Sequence, residues 1–358
     1  MTDLAINGRF LTRPARGVNR VASELILALV RLRDAGDPAA PIRLRVLVPD
    51  GILMDQISDP IAPYITPART GGGNRWEQTT LPRAAGNAVL FNPCNVGPLV
   101  RRRQVTLIHD AQVYTAPESY GWGFRLWYHF ALPVLARRSA GLATVSQTSR
   151  DELERLGVFP AGKAQVLPNG ADHILRTGTD TSVLARHGLA RHGYAMTIGS
   201  LAPHKNIATA IHATKAAGLP LVVAGGARAA VFQSANLPKS AHVSYLGRVS
   251  DGELRALYEN ATALIFPSLH EGFGLPPLEA MHCGCPVIAS DIPTLRDVCS
   301  DAALASQPMD VAGFAQHLRD LTDRPALRAQ QVQRGHERAA LYTWERSARA
   351  LMELVASL

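Results

Sequence analysis

The sequence predicts an α/β protein built from two doubly wound domains. Three observations carry that expectation. Apolar strand-like runs alternate with helix-like segments through most of the chain. The alternation breaks once, over residues 171–192, and then resumes. A chain of 358 residues is also too long for one ordinary core and suits two domains of about 150–200 residues each.

The first half opens with a strand over Leu4 to Phe10. A helix follows with Val18, Val21, Leu25, Leu29 and Leu32 on one face, then a β-rich run from Ile42 to Val48, which makes a βαβ unit. Further buried strands are expected at Ala88 to Phe91, Val105 to Ile108 and Leu142 to Val145. Each ends in polar or Gly residues, where a parallel sheet opens into its crevice. Residues 171–192 carry Gly, Thr and charge without a strand period, which places a boundary between domains 1–172 and 173–343. The second half repeats the pattern, with strands at Tyr194 to Ile198, Leu221 to Ala224, Val243 to Leu246, Ala263 to Phe266 and Pro286 to Ala289. After Asp310 the pattern is helical only. The last segment, 344–358, spaces Ala348, Leu351, Met352 and Val355 along one helix face that must be buried on an existing domain.

Bulk properties narrow the function. Apolar residues make up 47% and charged residues 18%, a globular composition that excludes disordered and collagen-like classes. The net charge of +8 favours anionic partners: nucleotide phosphates, a phosphorylated lipid or a negative membrane face. The basic residues are dispersed and mostly Arg, with a single run at Arg101, Arg102 and Arg103, so nucleic acid is not an expected partner. Cys94, Cys283, Cys285 and Cys299 lack the spacing of a zinc site, and the C-x-C step is too tight for an unstrained disulfide; a reducing cytoplasm is the expected home. The first ten residues hold no signal-like apolar run, and no stretch reaches the ~18 apolar residues of a spanning helix. The chain therefore reads as neither secreted by that route nor integral. No internal repeat is evident.

Chemistry concentrates between Pro267 and Pro286, which read P-S-L-H-E-G-F-G-L-P-P-L-E-A-M-H-C-G-C-P between two apolar strands. Gly272 and Gly274 permit a tight turn, and Pro276 with Pro277 suits a first helical turn, where a missing N–H costs nothing. A helix is thus expected to begin near Gly274 and to offer free N–H donors and partial positive charge to an anion such as a diphosphate. Glu271 lies just before this turn and Glu279 eight residues on, and the two are expected to face one cavity at different depths. A lone Glu here would serve the helix dipole. A pair beside glycines and prolines points instead to carboxylates accepting hydrogen bonds from the hydroxyls of a sugar and a ribose.

The E-x7-E spacing, whose second Glu lies in P-L-E-A-M, with G-C-P-V-I-A-S-D after it resembles the motif of the retaining GT-B glycosyltransferases of family 4, in a mannosyltransferase-like variant. Ile198 to Asn206 (I-G-S-L-A-P-H-K-N), Ile108 to Glu118, Gly17 to Arg20 and Pro168 to Asp172 (P-N-G-A-D) resemble further elements of that family, so the match covers nearly the whole chain. The resemblance implies two Rossmann-like domains facing an interdomain cleft. A nucleotide-sugar donor would be held by the C-terminal domain and a saccharide or polyprenyl-linked acceptor by the N-terminal one, with helix 344–358 packed back on the latter. It also implies that Lys205 neutralises the donor diphosphate, Glu279 holds the ribose, Glu271 holds the transferred sugar and His109 sits beside that sugar. Phe273, Gly274 and Leu275 would supply backbone N–H groups to phosphate. Gly17, Arg20 and Asp110 fall on the acceptor side, and Gly17 with Arg16 and Arg20 could touch an acceptor phosphate or only shape their loop.

No D-x-D occurs, so no metal bridging a diphosphate is expected and no cofactor beyond the co-substrate. Retention in this family implies front-face attack through an oxocarbenium-like state without a protein nucleophile. The chain departs from the pattern in two places. Ser200 stands where many members carry an Arg, which leaves Lys205 more of the diphosphate's charge, with His204 or Arg248 to compensate. Asp297 before Val298 replaces a common Glu. Gly225 and Gly226 are read as turn glycines, because no G-x-G-x-x-G follows.

The segment from Phe124 to Arg138 mixes aromatics with Arg and reads either as core with a basic rim or as a peripheral contact with an anionic membrane. The expected activity is transfer of a hexose, with GDP-mannose favoured as donor, in polysaccharide or glycolipid assembly. A nucleotide-sugar epimerase or hydrolase on the same architecture, or a non-catalytic nucleotide-sugar sensor, are the alternatives.

Overall fold

Thirteen short strands form two parallel sheets among the described residues. In the first half they are Thr2–Asn7 (β1), Ile42–Val48 (β2), Ile65–Pro67 (β3), Val89–Asn92 (β4), Gln104–Leu107 (β5), Gly141–Thr144 (β6) and Gln165–Val166 (β7). In the second they are Ala195–Ile198 (β8), Leu221–Ala224 (β9), Val243–Gly247 (β10), Leu264–Phe266 (β11), Val287–Ser290 (β12) and Ala303–Ser306 (β13). The central strands are fully buried on both faces, as parallel strands covered by helices must be, and β4 and β5 place the polar Asn92, Gln104 and Thr106 there among apolar neighbours. The computed structural model describes residues 2–14, 17–38, 40–53, 57, 59–68, 71–199, 202–225 and 240–358.

Contacts divide the chain into two compact units, residues 1–170 with 344–358 and residues 171–343. The sheet of the first runs β3-β2-β1-β4-β5-β6-β7 and that of the second β10-β9-β8-β11-β12-β13. In each, the chain builds outward on one side of its first strand, then returns to build on the other. The order therefore reverses between β1 and β4 and between β8 and β11, and the carboxyl ends of those strands are where open α/β sheets bind ligands. The two doubly wound sheets meet the fold class expected from the alternation of apolar runs.

The first unit carries helices Val18–Asp34 (α1), Gly73–Ala84 (α2), Gln112–Thr115 (α3), Trp122–Arg138 (α4) and Gln147–Arg155 (α5). The second carries His173–Arg176 (α6), Ser182–Arg186 (α7), Ile207–Ala217 (α8), Asp251–Asn260 (α9), Leu275–His282 (α10), Pro293–Cys299 (α11), Val311–Asp323 (α12) and Pro325–Ala339 (α13). Caps fix several starts. Ser146 accepts from the Ser149 N–H at 3.0 Å to begin α5, and Ser250 with Glu253 forms a capping box on α9. Helix α14, Trp344–Ala356, buries Leu351, Met352 and Val355, and its Arg349 makes two bonds to the Asp37 carboxylate, at 3.1 and 2.6 Å, just past α1.

Some elements differ from the sequence expectation. The first strand stops at Asn7 rather than Phe10, because the Asn7 side chain accepts from the Arg9 N–H at 3.3 Å and turns the chain into a 3-10 segment over Gly8–Thr12. Strands β3, β7 and β13 went unread. The first two have three and two residues, too few to display a period, and β13 is partly exposed at the sheet edge.

Candidate functional site

The loops after β8 and β11, at the reversal of the second sheet, are stitched together. Asn206 takes the left-handed conformation (φ 50°) and its Nδ2 donates to the carbonyls of Pro267 at 3.0 Å and Pro308 at 2.7 Å. The Leu269 N–H donates to the His204 carbonyl at 2.8 Å. This scaffold ends the 3-10 turn Pro203–Lys205 with Lys205 Nζ 2.6 Å from Glu271 Oε1, over the Phe266 ring at 5.7 Å. The Glu271 side chain is 9% exposed and Lys205 20%, so the ammonium is the more accessible partner. Thr294 Oγ1 donates to the Glu271 carbonyl at 2.8 Å and anchors the start of the glycine turn.

Gly274 is the N-cap of α10 at φ 101°, and a Cβ there would lie 2.8 Å from Leu295 Cδ2, so only glycine fits this turn. Leu275 begins the helix with Pro276 and Pro277 in its first turn, and the N-cap glycine has no side chain to cap the N-terminal donors. The Phe273 ring is buried edge-on against Tyr342, at 5.7 Å between centroids. One turn further, Glu279 is 5% exposed. Its Oε2 accepts from the Tyr258 hydroxyl at 3.2 Å and its Oε1 lies 3.0 Å from His173 Nε2. Each of these carboxylate oxygens keeps a second lone pair for a ligand hydroxyl. Burial, followed by the Glu279 charge, raises the Tyr258 hydroxyl well above its ordinary pKa, which keeps it a donor. Arg248 is exposed at the carboxyl end of β10. Ser200 and Gly226 lie outside the described residues, as does Arg16.

In the first unit, His109 follows β5 and is 4% exposed. Its backbone N–H donates to Asn95 Oδ1 at 2.8 Å and its Nε2 donates to the Pro93 carbonyl at 2.7 Å. Burial pushes the imidazole down to about 4 against the pull of that carbonyl, so the ring is neutral near pH 7. Asp110 Oδ1 accepts from the Gln112 N–H at 2.9 Å and begins α3. Gly17 caps α1 at φ 49°, and Arg20 lies half-buried in the first turn of that helix.

Residues 189–338 match the family described as glycosyl transferases group 1. The chain is 32% identical over 256 residues to the O-antigen chain mannosyltransferase B of Escherichia coli, covering 68% of this chain and 67% of that one. The chain belongs to the group 1 glycosyltransferases. This glycosyltransferase is also 29% identical over 237 residues to the O-antigen chain mannosyltransferase RfbU of Salmonella typhimurium, covering 64% of this chain and 63% of that one. Its fold is that of the sucrose-phosphate synthase of Thermosynechococcus elongatus, with a TM-score of 0.74 over 100% of this chain and 99% of that one at 19% identity.

The structure of the glycosyltransferase brings Lys205 and Glu271 into contact beside the Gly274-opened helix, while Glu279 is engaged separately by Tyr258 and His173. Those two partners were missed by sequence reasoning. Tyr258 reads as core in an amphipathic helix, and His173 sits in the stretch taken for a domain boundary. Among the described residues no cluster of three or more His, Cys, Asp or Glu could hold a metal ion.

The neutral state of His109 has a measurable consequence. A histidine depressed from about 6.5 to about 4 stabilises the folded form fully above pH 6.5, and that contribution is lost as pH falls toward 4. Urea midpoints of the wild type should therefore fall between pH 6.5 and 4 more steeply than those of His109→Gln. Parallel slopes would show that the ring is charged in the folded protein.

Proposed function

We propose that the chain is a retaining, metal-independent hexosyltransferase. It moves mannose from GDP-mannose to a saccharide or polyprenyl-linked acceptor in the assembly of a surface polysaccharide or lipopolysaccharide. The observation that carries the reading is the Lys205–Glu271 pair beside the Gly274-capped start of α10, at the reversal of the second sheet. The mannosyl preference draws on the two O-antigen mannosyltransferases, each about 30% identical to this chain.

Cleaving the anomeric C–O bond leaves negative charge on the departing diphosphate. Preorganised donors aimed at that charge lower the barrier because they interact more strongly with the transition state than with the ground state. Lys205 Nζ and the backbone N–H groups of Phe273, Gly274 and Leu275 are those donors. Glu271 orients the transferred sugar through its hydroxyls and Glu279 receives the ribose hydroxyls. An acceptor hydroxyl then attacks the anomeric carbon from the leaving-group face, through an oxocarbenium-like state, and its proton passes to the departing diphosphate. Any part His109 plays is that of a neutral hydrogen-bonding ring, not of an acid.

Melting temperatures measured across a panel of GDP, UDP and dTDP sugars test the reading. GDP-mannose should give the largest rise, as binding to the native state alone requires. No rise with any of them would remove the donor site, and donor consumption at full rate without acceptor would replace transfer by hydrolysis or epimerisation.

Peripheral contact with an anionic membrane at the cytoplasmic face belongs to the same proposal. No helix of the described residues is long and apolar enough to cross a membrane. The start of α4, however, exposes Trp122 (82%), Leu126 (63%) and Phe130 (58%) around exposed Arg125. The chain should float with anionic liposomes at low salt, and Trp122→Ser with Leu126→Ser should abolish flotation. Equal flotation of variant and wild type would show that this face is not the contact.

A further inference from the structure

The groups that favour departure of a diphosphate also favour its staying. On the donor-site reading, Lys205 and the N-terminal donors of α10 stabilise charge that appears as the anomeric bond breaks, and that charge remains on the product. A phosphate monoester loses its second proton at about pH 6, so a free nucleoside diphosphate is more negative near pH 7 than one esterified to a sugar. By charge alone, such a site holds its product more tightly than its donor.

Glu271 opposes this. Its Oε1 lies 2.6 Å from Lys205 Nζ, and its side chain is 9% exposed, so little water or salt screens the carboxylate from the ammonium. Neither side chain has another ion-pair partner among the described residues, and each therefore offsets the other. The backbone on both sides is tied down: Thr294 Oγ1 donates to the Glu271 carbonyl, the Leu269 N–H to the His204 carbonyl, and Asn206 Nδ2 to the Pro267 carbonyl.

Sugar binding does not account for that negative charge. A glutamine at 271 would also accept from a sugar hydroxyl, without placing a carboxylate beside an anionic ligand. Stability does not account for it either, since replacing a buried ion pair by apolar residues of similar volume is often neutral or stabilising. What the charge adds is a difference between two occupied states. With the sugar in place, its hydroxyls donate to Glu271 and draw on its charge, which leaves more of the Lys205 charge to the diphosphate. When the sugar has passed to the acceptor those donors are gone, and the carboxylate offsets the ammonium again.

We propose that Glu271 discriminates donor from product: by offsetting the Lys205 charge whenever the sugar is absent, it weakens the hold on the nucleoside diphosphate and speeds its release. The inference rests on the reading of this pair as the donor site. Calorimetry on the full chain tests it, with GDP-mannose and GDP as separate ligands and the wild type compared with Glu271→Gln and Glu271→Ala. GDP should bind both variants about tenfold more tightly than the wild type, while GDP-mannose binds neither more tightly. The inhibition constant of GDP in mannosyl transfer by Glu271→Gln should fall by the same factor. A variant that only loosened the site would lose both ligands together, and a gain for GDP alone is a result that damage does not produce. The proposal is overturned if GDP binds both variants as the wild type does or more weakly, provided both ligands bind the wild type; the donor site then stands without the offset. If neither ligand binds the wild type, the donor site is removed and this inference with it.

Discussion

Lys205→Ala is expected to lower kcat about 10²–10³-fold, the usual loss when one preorganised donor to a developing oxyanion is removed. The effect should be large here because the Lys205 ammonium is held rather than free: Glu271 fixes it at 2.6 Å and the Phe266 ring lies beneath it. Little reorganisation is therefore needed when charge appears on the diphosphate. The same geometry complicates the simple variant. Removing Lys205 leaves Glu271, 9% exposed, without its partner, which costs about 1–3 kcal/mol of stability irrespective of catalysis. The double variant Lys205→Ala with Glu271→Gln separates the two effects. It should recover most of the lost stability, because the buried charge is gone, and none of the lost turnover. Turnover of Lys205→Ala within about tenfold of wild type at saturating GDP-mannose would show that the helix start alone carries the diphosphate.

That pair also marks the limit of what could be read from the chain. The glycine turn with Pro276 and Pro277 was legible, because a missing N–H is tolerated only at a helix start, and α10 begins at Leu275 as those residues require. The central strands were legible for a similar reason: burial on both faces favours continuous apolar runs, and 221–224 stands where its composition places it. Lys205 and Glu271 could each be nominated, but their contact spans 66 positions and depends on Asn206 tying two loops together, a left-handed residue that no periodicity reveals. The Arg9–Glu77 pair was hidden more completely. Charged residues outside a motif read as solvated, and α2 is polar enough that nothing marks Glu77 as the one facing inward. Tertiary contact decides such sites, and local pattern is silent on it.

Glu279 is where stability and binding are most tightly joined. Its carboxylate is 5% exposed and accepts from Tyr258 while lying against His173 Nε2, so Glu279→Ala removes the acceptor of the buried Tyr258 hydroxyl and one contact of His173. Each such loss costs about 1–3 kcal/mol, and a cavity is added to it. Glu279→Ala should therefore melt several degrees lower and bind GDP-mannose at least about tenfold more weakly, since the acceptor for the ribose hydroxyls is gone. Stability alone could produce both results, so the informative variant is Tyr258→Phe. It removes one hydrogen bond to Glu279 and leaves the carboxylate in place, held by His173 alone. If the triad orients Glu279 for the ribose, Tyr258→Phe weakens GDP-mannose while mannose 1-phosphate, which lacks the ribose, binds as before. If the triad only fills the interior, calorimetry finds both ligands unchanged in Tyr258→Phe despite a lower melting temperature, and Glu279 loses its place in the donor site.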